Sequence, residues 1–154
     1  MIYPEINQIT KRYWTEGDFD KLKNAKTINE LYEIAVQIIN RMPKDVVQVC
    51  GPITNGGKGS IEENLKFLNQ TIQELQNKGV SIFDQMPFEE SFHRIIQEYA
   101  GNQKYVNILD DFYAPLFSLN KIKKLYFIPG WETSRGANWE YQRAKETSIE
   151  IEIL

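Results

Sequence analysis

Two stretches of this chain combine residue types that can hold and transform a small ligand. One is Gly51-Pro52-Ile53-Thr54-Asn55-Gly56-Gly57-Lys58-Gly59-Ser60, and the other is Pro129-Gly130-Trp131-Glu132-Thr133-Ser134-Arg135-Gly136-Ala137-Asn138-Trp139-Glu140. The first places four glycines in nine residues, so its backbone N–H groups can approach an anion closely. A helix follows it, and the positive end of that helix favours the same anion. A P-loop reading fails on this loop. With Gly57-Lys58 in place the pattern needs glycine at 52 and Ser or Thr at 59, where Pro52 and Gly59 stand. The plain alternative is a flexible turn that binds nothing. In the second stretch Glu140 follows Gly136 by four residues, within the first turns of a helix. A carboxylate there also suits the helix dipole as surface decoration. Its neighbours Trp131 and Trp139, and its place after a strand, make it a candidate for function.

Few other residues offer chemistry. His93 sits between Phe92 and Arg94 in a helical pattern, as a surface or boundary residue. Cys50 ends an apolar run and reads as a small core residue, with nothing nearby in sequence to lower its pKa. One cysteine and one histidine cannot assemble a Cys/His zinc site, so no metal is expected. A single cysteine also precludes an intrachain disulfide framework and fits a reducing compartment. The net charge of −3 and pI near 5.3, without a basic cluster, exclude a nucleic-acid polymer or an anionic membrane as partner. The N-terminus lacks a signal-peptide pattern and no apolar run reaches about 20 residues, so a cytoplasmic location is expected.

The elements that must position these loops follow from periodicity. At 154 residues and 42% apolar content, one compact domain is expected. Residues 1–44 read as a helical extension and 45–154 as an α/β domain. A first helix spans about 4–16, with Ile6, Ile9 and Tyr13 on one face and Gly17 as its stop. A second opens at a capping box, Thr27-Ile28-Asn29-Glu30, and ends at Pro43. From residue 46 strands alternate with helices. Strands are expected at 46–50, 80–83, 125–128 and 149–154. Helices are expected at about 61–78, 88–100 (closed by Gly101) and 136–147, with a segment at about 106–119 that Pro115 interrupts. This alternation predicts a parallel sheet of the Rossmann-like or flavodoxin-like kind, with helices on both faces and residues 46–50 central. Ligands of such sheets bind beyond the carboxyl ends of the strands, which is where both loops fall.

Taken together, the two loops resemble the nucleoside 2-deoxyribosyltransferase-like superfamily, which includes the 2'-deoxynucleoside 5'-monophosphate N-hydrolases. The loops resemble still more closely a set of small bacterial and phage relatives that share a Gly-Pro-Ile-Thr loop after a strand. Those relatives also share a later Pro-Gly-Trp-Glu-x-Ser-Arg-Gly-Ala segment ending in glutamate. Residues 50–60 and 128–140 carry the match, and the likeness spans about 46–154. The resemblance implies that Glu140 is a nucleophile that attacks the anomeric carbon and expels the base. It implies that Ser134, together with Gly56, Gly57, Lys58 and Ser60, contacts a 5'-phosphate, and that Gly51, Ile53, Thr54, Arg135, Gly136 and Asn138 complete the substrate site. Trp131 is the loop residue expected to stack on a base. An aspartate that assists the leaving base corresponds to Asp110 or Asp111, while Lys123 or Lys124 stands where the family has Asp or Asn.

The function expected is cleavage or exchange of the N-glycosidic bond of a nucleoside 5'-monophosphate or nucleoside, without a cofactor. The alternative is a nucleotide-binding sensor or partner-recruiting module that turns nothing over. The resemblance also implies a homodimer, for which Tyr3, Tyr13 and Trp14 are candidate contact residues.

Overall fold

A computed structural model of the chain describes residues 3–99 and 107–154. Three helices come first: α1 (Gln8–Lys11), α2 (Glu16–Asn24) and α3 (Ile28–Arg41). They are followed by β1 (Val46–Cys50), α4 (Ile61–Asn77) and α5 (Met86–Tyr99). A π-helical turn (Leu109–Tyr113) runs into α6 (Ala114–Ser118), and then come β2 (Ile122–Phe127), α7 (Arg135–Thr147) and β3 (Glu150–Ile153). The fold is mixed α/β, with a small parallel sheet in the order β1-β2-β3. Among the described residues no helix is long and apolar enough to cross a membrane.

The sheet is covered on both faces because β1 is buried on both. Val46 and Cys50 join the cluster formed with α3, α5, α6 and α7, whereas Val47 and Val49 pack with Leu65, Leu68 and Ile72 of α4. This is the period-two alternation of a strand sandwiched between helices. Register is fixed by pairs such as Gln48 with Leu125 and Cys50 with Phe127. On its other side, among the described residues, β1 meets a single rung. Val47 bridges Ile82 in parallel, donating to the Ser81 carbonyl at 2.9 Å and accepting from Phe83 N–H at 2.8 Å. The strand expected at 80–83 is thus reduced to a bridge.

The first 44 residues depart most from the sequence reading. The helix expected at 4–16 is the single turn α1, whose Asn7 cap accepts from Thr10 N–H at 2.8 Å. Gly17 is not a stop but lies in the first turn of α2, because Thr15 and Asp18 form a reciprocal capping box that starts a new helix. At Thr27 only half the expected box forms. Its hydroxyl accepts from Glu30 N–H and donates to the Glu30 carboxylate, 3.1 Å and 3.3 Å respectively. Trp14, Leu31, Ile34 and Ile38 are buried in the same cluster as Phe88, Phe112 and Leu125, so residues 1–44 and the sheet share one core. Trp14 stacks on Phe19 at 4.8 Å, and Tyr3 donates or accepts a hydrogen bond with His93 Nδ1 at 2.9 Å.

Pro115 does not break its segment; it lies near the start of α6, directly after the π-helical turn. The expected start at Val106 and the stop at Gly101 lie outside the described residues. Since α3 is part of the core, Leu31→Ala should lower unfolding stability by about 2–5 kcal/mol in a single cooperative urea transition. A second transition belonging to residues 1–44 would contradict a shared core.

Candidate active site

A cavity of about 320 Å³ opens where β1 ends and α7 begins, a size suited to a small metabolite. The loop after β1 contributes Gly51, Ile53, Thr54 and Asn55, and the start of α7 contributes Ser134, Arg135, Gly136, Ala137 and Glu140. Gln85, Glu89 and Phe92 enter from α5 and the residue before it, and Ile108, Leu109 and Tyr113 from the π-helical segment.

Glu140 is aimed by its own helix. Ser134 caps α7 by accepting from Ala137 N–H at 3.1 Å, and Asn138 Nδ2 donates to the carbonyls of Glu132 and Ser134. Six residues beyond the cap, Glu140 is 7% exposed. Its Oε2 accepts from Gln48 Nε2 at 2.9 Å and from the Cys50 thiol at 3.2 Å. Gln48 and Cys50 are alternate residues of β1, so one face of the strand carries both donors. Burial raises the Glu140 pKa to about 7, and the hydrogen bonds from Cys50 and Gln48 restrain the rise. Burial first, and then the Glu140 charge, push the Cys50 thiol well up, so it serves as a neutral donor.

A second carboxyl faces the same cavity. Glu89 is half-buried on α5, and its pKa is raised to about 8 by burial, then by the charges of Glu140 and Asp84. Near neutrality Glu89 therefore holds its proton while Glu140 is divided between its two forms, and the two titrate as a coupled pair. Tyr113 is buried beside them, its phenol pushed well up by burial and then by Glu89 and Glu140. Gln85, 2% exposed, donates from Nε2 to the Val49 carbonyl at 2.7 Å.

The two loops do meet, but in a different way from the one their sequences suggest. Gly57 N–H donates to Thr133 Oγ1 at 2.7 Å, and Arg135 N–H donates to Asn55 Oδ1 at 3.2 Å. A Cβ at Gly56, where φ is +69°, would sit 2.4 Å from the Thr133 carbonyl oxygen, so only glycine allows this approach. Lys58 N–H is taken by Asn64 Oδ1 at 2.7 Å, and Asn64 Nδ2 ties down the carbonyls of Ile53 and Gly56. Of the glycine-loop N–H groups, those of Gly57, Lys58 and Gly59 are thus spent on folding the loop. Gly57 and Lys58 border a separate depression of about 210 Å³, where the Lys58 ammonium lies 4.6 Å from the centre of the Phe67 ring. Ser60 caps α4.

Trp131 packs on Tyr141 at 4.7 Å, nearly parallel, and does not line the cavity. Asp110 and Asp111 are exposed and do not line it either; Asp110 accepts from Asn107 Nδ2. Lys124 pairs with Glu152 at 2.7 Å on the sheet. The residues that sequence reasoning missed are Gln48, Gln85, Glu89 and Tyr113. Gln48 did leave a signal, as a polar residue inside the apolar run 46–50. Glu89 left a weaker one, a charge between Phe88 and Phe92 of an amphipathic helix. Among the described residues no group of three or more His, Cys, Asp or Glu side chains is placed to hold a metal ion. No protein-family model, curated protein or solved structure matches the chain.

Both carboxyl pKa values are raised above the ordinary value of 4.5. The native state therefore keeps protons that unfolding releases. The associated stability is complete below about pH 4.5 and is lost as pH rises through about 7 and 8. Wild-type protein should lose unfolding free energy between pH 5 and 8.5. Glu140→Gln should lose less, the difference being on the order of 3 kcal/mol at the alkaline end. Urea unfolding at the two pH values measures it, and identical slopes would remove the buried-carboxylate account.

Proposed function

We propose that this chain is an N-glycosidase of nucleoside 5'-monophosphates, with Glu140 as nucleophile and Glu89 as acid–base partner. The observation that carries the reading is the pair of carboxyls in one cavity, held at different protonation states by burial and by the charge of Glu140 on Glu89. Separated pKa values on two carboxyls are the chemical requirement of glycoside cleavage. The resemblance of residues 50–60 and 128–140 to the nucleoside 2-deoxyribosyltransferase-like superfamily supports the same assignment of Glu140. The strand order supports the finer fold. Counting the Ile82 bridge, the strands run second, first, third, fourth, as in flavodoxin-like sheets, whose ligands sit at the carboxyl edge.

The Glu140 carboxylate attacks C1' of the sugar as the C1'–N bond breaks, and its electron pair leaves with the base. Glu89 gives its proton to a ring nitrogen of the departing base. Water then attacks C1' of the glycosyl ester, passing a proton to the Glu89 carboxylate and freeing Glu140. A second base in place of water gives exchange. Gln48 and Cys50 hold Oε2 of Glu140 in place throughout. The phosphate belongs at the start of α7, beside the exposed Arg135 guanidinium and the Gly136 N–H rather than in the glycine loop. Ser134 caps that helix with its oxygen and can donate its O–H to the phosphate.

Glu140→Gln should cut base release by roughly 10³-fold or more while nucleotide affinity, measured by calorimetry, changes little. A wild-type protein that binds nucleotides and releases no base from any of them would leave the sensor function standing instead. The rate should follow a narrow bell in pH with limbs near 7 and 8, since Glu140 must be ionised and Glu89 protonated. Glu89→Gln should lower the rate by roughly 10²–10⁴-fold and abolish the alkaline limb. An unchanged alkaline limb in that variant would assign the acid to another group.

A further inference from the structure

We propose that the cavity selects a 6-aminopurine and that Gln85 is the residue that reads the amine; this rests on the glycosidase reading and adds the identity of the base. The Gln85 side chain lines the cavity and is 2% exposed. Its Nε2 donates to the Val49 carbonyl at 2.7 Å. A carbonyl can only accept, so the orientation of the carboxamide is fixed. That leaves Oε1 as the free end, and it is buried without a hydrogen-bond partner. The large majority of buried side-chain polar atoms in folded proteins have a hydrogen-bond partner. An orphan in the wall of a ligand cavity marks the place where a ligand donor completes the set.

Glu89 follows Gln85 by four residues, one helical turn further along the start of α5, and lines the same cavity. Its carboxyl carries a proton near neutrality. The wall thus offers an acceptor next to a donor. A purine leaves C1' most readily when N7 takes a proton, and the substituent at position 6 lies beside N7. A 6-amino group would donate to Gln85 Oε1 while bare N7 accepts from Glu89. A 6-oxo group would set oxygen against oxygen at Gln85, and a pyrimidine has no counterpart of N7. Phe92, Ile108 and Leu109 supply the apolar wall for the ring.

Four bases test this, as ribose and 2'-deoxyribose 5'-monophosphates of adenine, hypoxanthine, unsubstituted purine and cytosine, by base release and by calorimetry. Wild-type protein should favour adenine over hypoxanthine by roughly 100-fold in kcat/KM, with unsubstituted purine between them. Gln85→Met, which keeps length but lacks the acceptor, should bring adenine and unsubstituted purine to within a few-fold of each other. It should still cleave the unsubstituted nucleotide. Should that variant fail to fold, the wild-type ranking alone decides. Hypoxanthine cleaved as well as adenine, activity confined to pyrimidines, or discrimination kept in Gln85→Met would each overturn the Gln85 assignment and leave the glycosidase standing. No binding and no base release from any nucleotide would overturn the glycosidase itself, and this assignment with it.

Discussion

A carboxylate withdrawn from water must be given donors, and at Glu140 that requirement organises the molecule. Gln48 and Cys50 reach its Oε2 from β1, and each must sit on the one strand face that looks at α7. A one-residue slip of β1 would turn both donors to the α4 side and bring Val47 and Val49 against the carboxylate. The parallel register of β1 with β2 and the capped start of α7 are therefore parts of one constraint. The same burial that demands donors raises the Glu140 pKa into the range where protonation can be used chemically.

The second carboxyl depends on packing further away. α5, which carries Glu89, is held at its N-terminal end by Asp84, whose Oδ1 accepts from Met86 N–H and whose Oδ2 accepts from Thr10 Oγ1. Gln76 Nε2 donates to Thr10 Oγ1, and Asn7 Nδ2 donates to Gln76 Oε1, so α1 and α4 close the chain of bonds. On the next turns Arg94 donates to the carbonyls of Ala25 and Leu22, fastening α5 to the end of α2. The N-terminal helices thereby fix where Glu89 stands, although none of the described residues before β1 lines the cavity.

The parts of this arrangement legible in the sequence were the local ones. The apolar run at 46–50, the stripes of α3 and α4 and the Ser-x-x-Glu start of α4 gave a parallel α/β fold, and the spacing Gly136–Glu140 singled out the first carboxylate. The mistaken or missed parts depend on pairings across the fold. Nothing local shows that Asn64 and Thr133 take the Lys58 and Gly57 N–H groups, although Asn64 is a buried polar residue beside the apolar stripe of α4. Asp110 and Asp111 have the right charge for an acid, but the π-helical turn leaves both exposed and brings Tyr113 inward instead. Thr15-Glu16-Gly17-Asp18 was a readable capping box, overshadowed by the glycine inside it.

The central claim is that Glu140 becomes covalently attached to the sugar. A nucleotide carrying fluorine at C2' slows the hydrolysis of such an ester, because the electron-withdrawing group destabilises the cation-like transition state. Wild-type protein incubated with a fluorinated nucleotide and digested should yield a peptide containing Glu140 heavier by the sugar phosphate, formed in step with release of one base per chain. Base release with no adduct, or an adduct on any other residue, would contradict the account.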